Sequence, residues 1–264
     1  MLEEKKEQVT EEAQKNDSRK TENMNDKYEL SLESMLKAGL HFGHKKSRWN
    51  PKMEKYIFGT REGVHILDLE KTITLFERAM KEVAETLGKG QQIMLVGTKR
   101  QAKNLVKAIG EKAEIPYVEE RWLGGTFTNF DVIKKRVKFL LENEEALEKG
   151  RLGHMTKLER LRLEKKLEKI EESMGGLRKM TQLPELVFVM DAIQDKTVIE
   201  EAKKMGIKTV GIIDTNADPS IVDFPIPAND DALSSIKYIL GVFLKTVLKT
   251  KKERVVATAN QLEN

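Results

Sequence analysis

The chain is 264 residues long, enough for one good core plus an accessory element, and at 34% charged against 39% hydrophobic it leans polar, as a chain does when part of it is solvated or grips something charged. A formal net charge of +4 is too mild to establish a nucleic-acid partner by itself, so the local distribution of charge has to carry that argument. The absence of cysteine excludes disulfides, thiolate nucleophiles and zinc ribbons together, and no apolar run is long enough for a signal peptide or a membrane span, a pattern expected of a cytoplasmic protein.

Residues 1–29 alternate acids with lysines and carry almost nothing apolar, so a disordered charged extension is expected there. Ser31 is an N-cap for a short helix with Leu32, Met35 and Leu36 on one face and Gly39 at its end. Residues 41–52 then set three lysines and an arginine around Phe42 and Trp49, with Gly43 and Pro51 holding irregular backbone. Cationic side chains neutralise phosphodiesters and release their counterions, and flat rings stack on unpaired bases. Lys45, Lys46, Arg48 and Lys52 supply the charge; Trp49 either stacks or anchors the loop. The plain alternative is a solvated turn whose rings sit in the core. The segments 56–58 and 64–67, parted by Gly59 and Gly63, read as a β-hairpin, and Asp68 caps a helix bearing Ile73, Phe76, Met80, Val83 and Leu87 until Gly88 closes it.

A continuous apolar run at 93–96 has the pattern of a strand buried on both faces, and Gly97 opens a turn into a helix bearing Leu105, Val106 and Ile109. Further strands are expected at 116–118, 186–190, 209–213 and 224–227, with helices over 198–205 and 231–249. Strands alternating with helices predict an α/β fold, a doubly wound parallel sheet over 30–130 and 180–250, followed by a tail over 251–264. Between the second and third strands the rhythm breaks. Over 131–179 two helical stretches, joined near 150–156, predict an inserted antiparallel helical hairpin of coiled-coil type. Its surface is dense in cations: Lys134, Lys135, Arg136 and Lys138 near the base, then Arg160, Arg162, Lys165, Lys166 and Lys169. Glutamates are interleaved, so a solvated coiled coil with intrahelical ion pairs and direct contact with RNA are both open.

Gly97-Thr98-Lys99-Arg100 stands where a strand feeds a helix N-terminus, a place suited to phosphate, yet it matches neither the dinucleotide fingerprint nor the P-loop; Lys99 and Arg100 favour an RNA phosphate. In Arg121-Trp122-Leu123-Gly124-Gly125-Thr126 the paired glycines let backbone approach a ligand, Arg121 can reach a phosphate, and Trp122 reads as core. His41 and His44 have a spacing some metal sites use, with no cysteine or third histidine nearby, while His65 reads as a core residue and His154 as solvated at the hairpin tip. Asp214, Asn216, Asp218, Asp230 and Asp231 follow two strands and converge at the carboxyl edge of the sheet, where they either hold Mg²⁺ or, the favoured reading, shape turns and cap the last helix through Asp230. No metal or other cofactor is assigned. No nucleophile with an adjacent base and orienter suggests itself, so the chain reads as no enzyme.

Asn50-Pro51-Lys52-Met53, Ile57-Phe58-Gly59, Val64-His65-Ile66-Leu67-Asp68-Leu69, Gly97-Thr98-Lys99-Arg100-Gln101-Ala102, the run from Arg121 to Asn129, Asp214-Thr215-Asn216-Ala217-Asp218-Pro219 and Ile226-Pro227-Ala228-Asn229-Asp230-Asp231-Ala232 occur in an order and at intervals that closely resemble the family of the second protein of the bacterial small ribosomal subunit, over roughly 32–249. The resemblance implies a flavodoxin-like strand order, which periodicity does not reveal, and structural binding of small-subunit ribosomal RNA. It also implies neighbouring ribosomal proteins as partners, among them the large, mobile first protein that places mRNA. In the family the loop after the second strand lies near the hairpin base, which adds Asn129 and Lys134 to Lys45, Lys46, Arg48, Trp49, Lys52, Lys99, Arg100 and Arg121 as expected RNA contacts. The rivals are a doubly wound enzyme binding a nucleotide or sugar phosphate at the sheet's switch point, and a protein-docking module that uses the hairpin as a partner helix.

Overall fold

The computed structural model describes residues 30–151 and 155–262; the extension over 1–29 and His154 lie outside them. Helix α1 (Leu32–Ala38) begins on Ser31, whose hydroxyl accepts from Ser34 N at 3.3 Å, and ends on Gly39 at φ 76°. Three antiparallel strands follow, β1 (Phe42–Lys45), β2 (Ile57–Arg61) and β3 (Val64–Leu67), in the order β1-β3-β2. The expected hairpin is therefore a three-stranded sheet. The first residues of the basic stretch, expected to be irregular, pair with the edge of β3 that a lone hairpin leaves open. Two 3₁₀ turns, Lys46–Arg48 and Pro51–Tyr56, carry the remainder of that stretch.

Asp68 caps α2 (Leu69–Gly88), accepting from Glu70 N at 3.1 Å. Then come β4 (Ile93–Val96), α3 (Lys103–Ala113), β5 (Tyr117–Val118), α4 (Phe130–Glu148), α5 (Lys157–Met174), β6 (Leu186–Val189), α6 (Lys196–Met205), β7 (Lys208–Ile213), β8 (Phe224–Pro227) and α7 (Leu233–Leu262). The sheet is parallel throughout and ordered β5-β4-β6-β7-β8. That is the flavodoxin-like doubly wound order, with its switch point between β4 and β6. Successive side chains of a strand serve opposite faces. Ile93, Leu95, Leu186, Phe188, Val210 and Ile212 join a core under α1, α2, α3 and α7. Met94, Val96, Val187 and Val189 join a second core with α6, the loop after β5 and the foot of the hairpin. The last helix does not stop near Lys249, where the sequence reading placed the start of a tail. Residues 250–262 contain neither glycine nor proline, and Lys249 and Glu253 pair across one turn at 3.9 Å, so nothing breaks the helix before Leu262.

The helices α4 and α5 run antiparallel over 130–174, with Ile133, Val137 and Leu140 of one buried against Leu167 and Met174 of the other. Thr156 and Glu159 form a capping box at the start of α5. Arg178, just past α5, makes two parallel 2.6 Å bonds to Glu144 and also bonds Glu171, which ties the two helices together. The foot is fastened to the sheet at Tyr117. A side chain at Gly110 would meet the Tyr117 ring at 2.2 Å, and one at Gly176 would meet its backbone oxygen at 2.2 Å, so glycine is required on both sides of β5.

Candidate nucleic-acid interface

The basic stretch presents its cations from a rigid support. Lys45 ends β1 and Lys46 and Arg48 lie in the first 3₁₀ turn, all three exposed. Trp49 does not stand free: its half-buried ring lies 5.3 Å from that of His65, which is buried and 3.2 Å from the Thr60 hydroxyl. Of the two expected roles, Trp49 has the anchoring contact. Lys52 is exposed but engaged, its ammonium 2.6 Å from Asp218, and that bond together with those from Ser220 holds the Asp218 carboxyl down to about 2. Arg100 and Arg121 are exposed. Asn129 sits at the start of α4, where its carbonyl accepts from Val132 N at 3.1 Å and its side chain makes no capping bond. The Lys134 ammonium donates to the Thr181 carbonyl at 3.2 Å, bracing the hairpin foot.

Lys99 is elsewhere. It stands at the switch point with its side chain 19% exposed, its ammonium 2.7 Å from Asp231, 2.8 Å from Asp230 and 3.3 Å from Asp191. Loops after β4, β6 and β8 deliver these groups to one place, and Lys99 cannot serve an RNA phosphate while three carboxylates surround it. Burial disfavours its charge, yet the hydrogen bonds it donates to Asp230 and Asp231 and the charge of Asp191 keep its pKa above the usual lysine range. Burial first, then the charges of Asp191 and Asp214, push the Asp230 carboxyl up, with Lys99 opposing. His44 closes the cluster from the small sheet: Nδ1 lies 3.0 Å from Asp214 and Nε2 3.4 Å from Asp231, and the Asp214 bond outweighs burial to raise its pKa. Beside it Asp195, raised to about 6 by burial, accepts from the Thr98 hydroxyl at 2.7 Å. The turn into α7 is held by Asn229, whose Oδ1 accepts from Asp231 N at 2.8 Å and Ala232 N at 2.9 Å, and not by Asp230, which is turned toward Lys99. Among the described residues, His44, Asp230 and Asp231 form a group with metal-ligand chemistry, one atom of each within 4.8 Å of the others; the Lys99 ammonium already bridges the two aspartates.

The loop between β5 and α4 is organised by a residue the sequence reading passed over. Glu201, on α6 and 6% exposed, accepts from Trp122 Nε1 at 3.1 Å, Gly125 N at 2.8 Å, Phe127 N at 3.0 Å and Thr128 N at 3.2 Å. Trp122 is core, as expected, edge-on to Phe127 at 4.8 Å. One carboxylate thus shapes the loop that carries Arg121 at one end and Asn129 at the other.

A switch point filled by the chain's own lysine and aspartates, with exposed cations standing on strand, turn and loop around it, defines a doubly wound binding scaffold suited to a large polyanion. Residues 35–250 match the family described as Ribosomal protein S2, and the chain belongs to that family, whose members are structural and non-enzymatic. The rival reading as a nucleotide- or sugar-phosphate-binding enzyme is thereby set aside. Among curated relatives, each called small ribosomal subunit protein uS2, that of a Nitratiruptor species is 42% identical over 85% of this chain and 84% of its own. That of Francisella tularensis subsp. novicida is 44% identical over 82% and 91%, and that of Wolinella succinogenes 45% identical over 79% and 77%.

Proposed function

We propose that the protein holds small-subunit ribosomal RNA through the exposed cations of its loops while docking a neighbouring ribosomal protein on its three-stranded sheet. As an S2-family member it is a structural constituent of the small ribosomal subunit, and its place is the ribosome in the cytoplasm. The observation that carries the RNA reading is the cluster Lys45, Lys46 and Arg48: three exposed cations within four positions, held on a strand and a 3₁₀ turn, with no carboxylate partner among the described residues. Arg100, Arg121 and Asn129 extend the same surface. Replacing Lys45, Lys46 and Arg48 with alanine is expected to make log affinity for ribosomal RNA less steep in log salt by about 2 to 3, and to weaken incorporation into small subunits, with the thermal melt unchanged. Normal incorporation of that variant would remove this loop from the interface.

The outer face of the small sheet supports the protein partner. Directly paired residues of antiparallel strands share a face. Phe42 and Gly59 therefore flank Ile66, and Lys45 and Arg61 flank Val64. Phe58 is the extra residue of a bulge in β2 and stands 81% exposed; Phe42 is 48% exposed. A side chain at Gly59 would meet nothing within 4 Å, so this bare position leaves space for close approach from outside. Two presented rings beside a bare strand suit the apolar side of a docking helix. The family resemblance points to the first small-subunit protein as its source. Substituting Phe42 and Phe58 by serine should weaken binding of that protein by about 30-fold or more while RNA affinity holds. Equal loss of both activities would show that the two surfaces are not separate.

A further inference from the structure

One buried residue at the carboxyl edge of the large sheet closes the loop that carries Lys45, Lys46 and Arg48. The register of β1 against β3 shifts between Phe42 and Lys45, and within that irregularity the His44 amide donates to the Thr215 hydroxyl at 2.8 Å. Farther along, the Asn50 amide donates to the Thr215 carbonyl at 2.7 Å. Thr215 follows β7 and is fully buried, so the core fixes it. Its hydroxyl proton has an acceptor in Asp214 Oδ1, 3.1 Å away, which leaves a lone pair for His44. The backbone comes closer at Gly43 than a side chain would permit: a Cβ there would lie 2.5 Å from Thr215 Cγ2 and 2.9 Å from its Oγ1. Just beyond, in the same loop, Asp218 holds Lys52 at 2.6 Å.

Between the two amides bound to Thr215 lie residues 45–49, among them all three exposed cations of the cluster. A short segment pinned at both ends to one residue has little freedom left. Its middle is tied as well, because the Lys46 amide donates to the Gly63 carbonyl at 2.9 Å, at the turn between β2 and β3. Ordering entropy that a loose segment would lose on binding a polyanion is lost here on folding instead. A positioning role of this kind and a contact role leave different marks. The steepness of affinity against salt counts the phosphates neutralised in the complex, whereas preorganisation changes affinity alike at every salt concentration.

We infer that Thr215 is the positioning residue of the basic loop: it brings no charge to the RNA, and it raises affinity by holding Lys45, Lys46 and Arg48 in the arrangement in which they meet phosphates. This rests on the RNA-binding reading of that loop and names the residue, remote in sequence, on which its strength depends. The test uses the full chain and a transcript of small-subunit ribosomal RNA, titrated over a range of salt. Thr215→Val keeps the shape of the side chain and removes the hydroxyl; it should weaken binding about five- to tenfold, with the salt slope within about 0.5 of that of the unaltered chain. Thr215→Ser returns the hydroxyl and should recover that affinity. Gly43→Ala forces the strand off Thr215 from the opposite side and should repeat the loss with the slope kept, which tests the clasp even where the valine variant folds poorly. Amide hydrogen exchange should quicken at His44 and Asn50 in Thr215→Val while the amides of β6 and β7 keep their protection. Undiminished affinity of either Thr215→Val or Gly43→Ala, or a loss that Thr215→Ser does not reverse, would overturn the inference. So would a slope as shallow as that of the variant with Lys45, Lys46 and Arg48 changed to alanine, since the contacts themselves would then be gone. If that triple variant binds as the unaltered chain does, the RNA-binding reading of the loop fails and this inference with it; if the triple variant is weakened and the Thr215 and Gly43 variants are not, the inference alone fails.

Discussion

Replacing Lys99 with methionine is expected to destabilise the protein by about 3 kcal/mol in mild alkali and by less on acidification. The substitution keeps most of the apolar stem but removes the ammonium that touches Asp191, Asp230 and Asp231. Asp191 and Asp230 are buried, and each loses its compensating cation; Asp231 is about half exposed, so solvent screens its share and the loss stays below that of a fully buried triad. The pH dependence has a definite sign. Asp230 already has its folded pKa raised by burial and by the charges of Asp191 and Asp214, against Lys99. A carboxyl of that kind contributes stability below its unfolded pKa that is lost as pH rises through the folded one. Without Lys99 the folded pKa moves further up from about 7, so the Asp230 share of the deficit should open as pH rises above neutrality, where the unaltered protein ionises Asp230 and the variant does not, and close on acidification. Urea denaturation across that range measures it. A further Asp230→Leu substitution should recover part of the loss, because it removes the most buried charge left unpaired. A deficit under about 1 kcal/mol, or one independent of pH, would mean that the cluster does not depend on its lysine.

Why Lys99 looked like a phosphate ligand in the sequence is instructive. It follows a buried strand and precedes a helix, where anions bind. Its partner Asp230 lies 131 positions away, so local pattern could not reveal that the site was already occupied. The convergence of Asp214, Asp230 and Asp231 at the carboxyl edge was legible, because each follows a strand of the parallel sheet; Asp218, expected with them, instead pairs with Lys52. The runs at 93–96, 186–190 and 209–213 were legible too: continuous aliphatic segments between helices leave few alternatives. The strand Phe42–Lys45 was not, since Phe-Gly-His-Lys has neither alternation nor a β-branched residue, and only the open edge of β3 draws it into a sheet. The hairpin showed its heptad spacing, because Ile133, Val137 and Leu140 and then Leu163, Leu167, Ile170 and Met174 recur at three- and four-residue steps. Glu201 had one faint signal. It falls three positions after Val198 and beside Ala202, on the apolar side of α6, where an acid calls for partners that the chain supplies more than seventy positions upstream.

That acid sets the other large expected effect: Glu201→Ala should cost about 3 to 5 kcal/mol. Alanine leaves the Trp122 indole N–H and the amides of Gly125, Phe127 and Thr128 without their acceptor in a site closed to water. Packing cannot compensate, because the donors converge on a point that only a carboxylate's lone pairs can serve together. Glu201→Gln is a sharper probe. It keeps the volume and one acceptor oxygen but turns an NH₂ group toward donors, so it should remain well below the unaltered protein in stability. Although burial alone would raise the Glu201 carboxyl, these hydrogen bonds hold it below the usual range. Its contribution is therefore present above the unfolded carboxyl pKa and lost as pH falls through the folded one, and the alanine variant should lack that part of the acid sensitivity. Trp122 reports the event directly: its emission should shift to the red as the indole loses its partner and the loop opens. Because Arg121 and Asn129 flank the same loop, RNA affinity should fall in the folded fraction as well, with the salt slope shallower by about 1. Unchanged tryptophan emission together with a melt within about 1 kcal/mol of the unaltered protein would show that the loop holds its shape without the carboxylate.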